Sequence, residues 1–230
     1  MTISIENLFK YLAAISDFLL VVWFIFIFEK TKKDKKIQVI ALYCISSLVL
    51  NYINQILPRS EKYLFYTFYT IVEYLIFCSF FWKVIISKKM RSMLIYLSGA
   101  FIAFIIGFTF LGNHTYFDSL SIGIETILII LYSFYFLYQE MKETKESFIY
   151  SKYTFWIMSG MLIYLSGSFF IYIFATQLNP SFLYNYWFIT NAFYIFKNIF
   201  FAIAIILYLR QIKMKNSPKG ISYTLMHHGS

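Results

Sequence analysis

The chain has 230 residues, of which 60% are hydrophobic, 23% aromatic and 13% charged. A soluble globular domain carries about a quarter charged residues, so that class is excluded. The net charge of +9 does not point to nucleic acid, because Lys and Arg fall between hydrophobic runs and form no basic stripe with interleaved aromatics.

At about 20 apolar residues per helical span, the length fits seven spans in one domain, residues 1–214. Residues 215–230 read as a flexible cytoplasmic tail, and 227–230 are left out of the reading. The first span, 7–28, has no basic stretch before it and no small-residue cleavage site after it. It reads as a retained helix and not as a removed signal, and it carries Asp17. The second, 37–57, carries Ser47, Asn51, Asn54 and Gln55. The third, 63–86, carries Glu73, with Thr70, Tyr69 and Tyr66 three, four and seven residues before it and therefore on its face. The fourth, 92–112, has no ionisable group at depth. The fifth, 117–138, carries Asp118, Ser121, Glu125 and Tyr132, and its helix is expected to project past the lipid as a charged, solvated stub with Glu140, Lys142, Glu143, Lys145 and Glu146.

The sixth span, 153–176, holds Ser159-Gly160 and Ser166-Gly167-Ser168, seven apart on one stripe. Small residues at that spacing let a second membrane helix approach closely. The seventh, 185–209, sets Asn191, Tyr194 and Asn198 beside Lys197. Tyr63, Trp82, Tyr153, Trp156, Tyr184, Tyr186 and Trp187 near the span ends suit an interfacial aromatic belt. Cys44 and Cys78 both fall inside spans, so neither a disulfide framework nor a zinc site is expected.

Basic residues fix the expected orientation. Lys30, Lys32, Lys33, Lys35 and Lys36, then Lys88, Lys89 and Arg91, then Lys142, Lys145 and Lys152, then Arg210, Lys213, Lys215 and Lys219 all fall on one side, against Lys10, Arg59 and Lys62 on the other. The positive-inside rule then sets the N-terminus outside and the C-terminus in the cytoplasm. Short loops predict that helices adjacent in sequence pack as antiparallel neighbours.

Counting at 1.5 Å per residue sets Asp17, Glu73, Glu125 and Lys197 roughly 12 to 18 Å deep. Ionisable groups at that depth pair or line a cavity, and matching depths predict a Glu73–Lys197 ion pair. The expected site is an outward-opening polar pocket over that pair, drawing on Asp17, Asn51, Asn54, Tyr66, Tyr69, Glu125, Tyr194 and Asn198. No histidine falls within a span, since His114 lies in an outer loop. HExxH, GxSxG and glycine-rich phosphate motifs are absent from the sequence, so no catalytic residue, metal or cofactor is expected, although motifs do not exclude an Asp/Glu-based hydrolase.

A mid-membrane lysine on the seventh helix and a carboxylate on the third resemble the microbial rhodopsins. The resemblance stops there: Phe193 stands four residues before the lysine where that family has an aspartate, and Thr70 stands three before Glu73 where it has an arginine. The sixth span lacks W-x-x-Y-P, and retinal is not expected. A second resemblance covers nearly the whole chain. The runs Phe65-Tyr66-Thr67-Phe68-Tyr69-Thr70-Ile71-Val72-Glu73-Tyr74, Phe155-Trp156-Ile157-Met158-Ser159-Gly160-Met161-Leu162-Ile163-Tyr164 and Phe196-Lys197-Asn198-Ile199 are similar to those of small bacterial seven-helix membrane proteins associated with sensor histidine kinases. That resemblance implies a multi-pass signalling accessory or sensor of the bacterial cytoplasmic membrane. It would take a small-molecule or lipid ligand and relay to a kinase partner. The alternative expectation is a small transporter or ion- and proton-translocating protein using the same charged core.

Overall fold

The computed structural model describes residues 5–58, 61–111, 119–143, 148–174 and 180–215. Seven helices account for nearly all of them: α1 (Ile5–Thr31), α2 (Lys35–Ile56), α3 (Lys62–Val84), α4 (Lys88–Leu111), α5 (Ser119–Glu143), α6 (Tyr153–Phe174) and α7 (Pro180–Lys215). All seven are long and apolar enough to cross a membrane, which fits a multi-pass membrane protein of the all-α class. The tail from 216 onward, Asp118, Arg59, His114, Lys145, Glu146 and the side chain of Tyr184 lie outside the described residues.

Helix ends follow local chemistry more closely than hydropathy. Asp34 sits in extended conformation before α2, and its carboxylate accepts from the Lys36 N–H at 2.9 Å, a standard N-cap. Leu57 leaves the helical conformation just before Pro58, because a proline ring disfavours the α region in the residue that precedes it. The Ser87 hydroxyl accepts from the Met90 N–H at the start of α4. The seventh helix overruns its predicted end at 209 and reaches Lys215. Its 36 residues span about 54 Å at 1.5 Å each, well beyond a hydrocarbon core of about 30 Å. Hydropathy falls at Arg210, but Arg, Gln and Lys are good helix formers, so the helix continues past it. The fifth helix likewise runs on past its predicted end at 138 to Glu143, but the expected solvated stub is corrected at Glu140, which is buried and paired with Lys152.

Six helices close into a ring in the order α1, α2, α3, α5, α6, α7 and back to α1. The fourth packs outside it, with α3 and α5 as its principal neighbours. Sequence neighbours therefore do pack together, but α3 reaches past α4 to touch α5 as well. The tightest seam is α6 on α7. A Cβ added at Gly160 would lie 2.9 Å from the Phe200 Cβ and 3.2 Å from the Lys197 carbonyl oxygen, and one at Gly167 would run into the Phe193 ring. The small-residue stripe thus serves helix packing, as its spacing predicted.

The basic end of the bundle is tied by side chains. Tyr153 of α6 donates to the Asp34 carboxylate, Tyr208 of α7 donates to the Lys30 carbonyl at 3.2 Å, and Lys152 pairs with Glu140 at 2.6 Å. Gln139 of α5 is buried against the turn between α3 and α4. Its amide oxygen accepts from the Ile86 N–H at 2.9 Å and its amide nitrogen donates to the Val84 carbonyl at 3.3 Å. These bonds satisfy backbone groups that the turn would otherwise bury unpaired.

Candidate functional site: a charge network inside a ring of helices

Lys197 is fully buried and leaves α7 where Gly160 of α6 packs against its carbonyl oxygen. Its ammonium donates to the Tyr43 phenol oxygen at 2.8 Å, and the same phenol donates to Glu73 Oε1 at 2.8 Å. The predicted direct Glu73–Lys197 ion pair is therefore corrected to a bridged one. Matching depths say nothing about lateral distance, and across the ring Tyr43 of α2 fills the gap between α7 and α3. The two direct ion pairs among the described residues, Lys32–Glu29 and Lys152–Glu140, lie at the basic end.

A second carboxylate flanks the lysine. Asp17 accepts from the Tyr194 phenol at 2.6 Å, from the Asn198 amide at 2.9 Å and more distantly from the Asn51 amide at 3.5 Å. Tyr194 also hydrogen bonds to Ser47, and the Asn198 amide donates to Ser16 at 2.8 Å. Lys197 Nζ lies 3.4 Å from the Tyr194 ring centroid, 4.6 Å from that of Tyr43 and 4.7 Å from that of Tyr164. Cations are attracted to aromatic faces at these distances, most strongly where desolvated. The lysine thus reaches Glu73 through the hydroxyl of one tyrosine and Asp17 across the ring of another.

Glu125 of α5 completes the set. It is 2% exposed, and its Oε1 meets no hydrogen-bond partner among the described residues. Its helix packs against α3, which carries Glu73. On α6, Tyr172 stands next in line, its phenol 3.4 Å from that of Tyr164. Five helices of the ring, α1, α2, α3, α6 and α7, therefore meet in one polar core, α5 buries Glu125 inside the ring, and α4 packs outside it. Comparison with family models, curated proteins and solved structures finds no match. The geometry is the ground on which a function can be argued.

The residues singled out from the sequence divide clearly. Asp17, Asn51, Glu73, Tyr194, Lys197 and Asn198 belong to the hydrogen-bonded core, and Glu125 is buried on α5 with no hydrogen bond to it among the described residues. Tyr69 lines a narrow crevice between α2 and α3, together with Tyr43, Ser46, Ser47, Leu50, Val72 and Glu73. That crevice reaches the Glu73 side of the core and is too narrow to hold a water molecule. Tyr66 is half-buried with its ring against Phe65, and Asn54 is half-buried with Oδ1 unpartnered. Gln55 faces outward. Tyr132 joins a separate chain of hydroxyls, 3.4 Å from the Tyr74 phenol, which is in turn 3.1 Å from Ser98 on α4.

Sequence reasoning missed Tyr43, Tyr164 and Ser16. Tyr43 was findable, since it precedes Ser47 by four residues and Asn51 by eight, and so continues their polar stripe at helical spacing. Tyr164 lies among apolar neighbours on a span whose polar residues all read as packing, and nothing local distinguishes it. Chemically, the core is a set of carboxylates, phenols and one ammonium close enough to exchange hydrogen bonds and protons. Removing one partner of such a buried pair typically costs about 3 to 5 kcal/mol, because the other charge is left bare.

Proposed function

We propose that the chain is a multi-pass sensor or signalling accessory of a bacterial cytoplasmic membrane, with its N-terminus outside and its C-terminus in the cytoplasm. A change of charge or occupancy in the core is passed to the basic end, where a separate partner such as a sensor kinase reads it. One observation carries this reading: side chains from five helices, α1, α2, α3, α6 and α7, meet around one ammonium, so a change at any member alters the forces among all five. Two unit charges about 5 Å apart interact by about 3 kcal/mol at an effective dielectric constant near 20. A coupling of that size changes a two-state equilibrium on the order of a hundredfold. Translocation, the second reading, draws on the unpartnered oxygen of Glu125. It also requires a path, whereas the crevice beside Glu73 is too narrow for water. Relay needs only rearrangement.

The test pairs two measurements on purified protein in lipid. Spin labels at Met141→Cys and Lys213→Cys, both exposed positions at the basic end, report the distance between α5 and α7 in a background with Cys44 and Cys78 replaced by Ala. Glu73→Gln and Lys197→Met are expected to move that distance, while sealed liposomes under an imposed pH gradient show no protein-dependent proton flux. Labels that stay fixed, or flux abolished by Glu73→Gln, would overturn the relay in favour of transport.

A further inference from the structure

The hairpin of α3 and α4 reaches the basic end with no acid to balance it. Lys83, Lys88, Lys89 and Arg91 follow one another closely, and the nearest carboxylates in sequence are Glu73 and Asp118. The other turns at this end differ: Lys32 pairs with Glu29, Lys152 pairs with Glu140, and Asp34 stands among the lysines before α2. Among the described residues Lys88, Lys89 and Arg91 meet no carboxylate. Arg91 is nonetheless held in place, since its Nε donates to the Ile85 carbonyl at 2.6 Å and its guanidinium lies 5.7 Å from the Trp82 ring centroid. Gln139 fixes the same turn from inside, through the Ile86 N–H and the Val84 carbonyl. The two terminal NH2 groups of Arg91 are left without a hydrogen bond among the described residues, beside two exposed lysines.

The place of this patch selects its partner. Because α4 packs outside the ring, the turn lies on the flank of the bundle and not over its centre. Trp82 and Ile86 are exposed beside the cations. That mixture suits the layer between acyl chains and headgroups, where Trp sits at the boundary and Lys and Arg lay their stems along apolar surface with the charge extended to the phosphates. A guanidinium binds a phosphate through two parallel hydrogen bonds. A zwitterionic headgroup brings an ammonium of its own, which the lysines repel; a headgroup of net negative charge does not. We propose that the outer flank of the α3–α4 turn binds an anionic phospholipid, with the phosphate on Arg91, Lys88 and Lys89 and the upper acyl chain against Trp82 and Ile86. The site stands apart from Lys197 and its network, so this binding and the relay can fail separately.

The test is native mass spectrometry of the full chain released from mixed micelles holding equal amounts of phosphatidylglycerol and phosphatidylcholine. The wild type is expected to retain phosphatidylglycerol in preference. Each cation near an anionic surface contributes about fivefold in affinity, so Lys88→Gln with Lys89→Gln should lower that retention about 25-fold. Adding Arg91→Gln should bring the loss to the order of a hundredfold. The lysine pair leaves intact the bonds that hold the turn, and so reads the site even where Arg91→Gln unfolds it. Lys33→Gln with Lys35→Gln removes the same charge from the turn between α1 and α2 and should keep most of the preference. Equal retention of the two lipids by the wild type, or an equal loss in the two lysine pairs, would overturn the proposal. Displacement of the lipid at matched ionic strength would overturn it as well: by inorganic phosphate in favour of a free-anion site, by polyglutamate in favour of an acidic protein partner.

Discussion

Replacing Tyr43 by Phe removes one oxygen from the centre of the bundle and leaves the ring in place. That oxygen serves two charged groups, accepting from Lys197 and donating to Glu73 at 2.8 Å each. Hydrogen bonds to charged groups contribute about 1.5 to 3 kcal/mol apiece, which sets an upper figure of about 6 kcal/mol for the pair. Interhelical bonds measured in a membrane average only about 0.6 kcal/mol with a maximum near 1.7, because groups freed in the unfolded state find other partners. The attraction between the two charges, about 3 kcal/mol, survives the substitution, and so do the ring contacts to Phe77 at 4.7 Å and Phe201 at 6.0 Å. Tyr43→Phe is therefore expected to cost about 2 to 4 kcal/mol. In a Lys197→Met background the same change should cost only about 1 kcal/mol, since the phenol then serves Glu73 alone. Reversible unfolding of the purified protein in mixed micelles, followed by circular dichroism across the double-mutant cycle, measures both figures. A cost below about 0.5 kcal/mol, or the same cost in both backgrounds, would refute the bridge.

Other consequences can be checked with simpler changes. Gly160→Ala should lose about 1 to 3 kcal/mol by forcing α6 from α7, since the two nearest of the three atoms the new methyl meets, the Phe200 Cβ and the Lys197 carbonyl oxygen, are fixed to the backbone. Gly99→Ala, where a Cβ meets nothing within 4 Å, should be neutral or gain up to about 1 kcal/mol; thermal melts of the two compare them directly. For the orientation, a membrane-impermeant maleimide applied to intact cells should label Glu61→Cys and spare Lys33→Cys and Lys89→Cys, all exposed positions. The reverse pattern would invert the assignment.

The spans were legible because a bilayer imposes one requirement, a run of about 20 apolar residues, and every helix meets it. The core charges were legible for a similar reason: Asp17, Glu73, Glu125 and Lys197 stand out in apolar sequence, and at such depth they turn inward. Who meets whom was not legible. Depth along the membrane normal can be counted from the sequence, but position around the ring cannot, and so Glu73 and Lys197 matched in depth while Tyr43 stood between them. The chain has 21 tyrosines, and a phenol is equally at home in an interfacial belt, a packed core or a hydrogen-bonded bridge. The outlying place of α4 was hidden as well, since its hydropathy is as high as that of the ring helices. The polar residue it turns inward, Ser98, meets Tyr74 and Tyr132 in the separate chain of hydroxyls and does not reach the core around Lys197.

The ring closes where α1 meets α7, and this bears on how the protein is made. Asp17 waits for Tyr194 and Asn198, residues 177 and 181 positions later. At about 5 to 20 residues per second, the first helix is on the order of 10 to 40 seconds old before its donors leave the ribosome. Through that interval its carboxylate must be shielded by water, a headgroup or the insertion machinery. A chain stopped before α7 would lack Lys197 as well, and would present the bilayer with three acids and no base. Arrival of the last helix is therefore the event that makes the first one a stable resident of the membrane, and it is the natural point at which quality control would separate a finished molecule from an abandoned one.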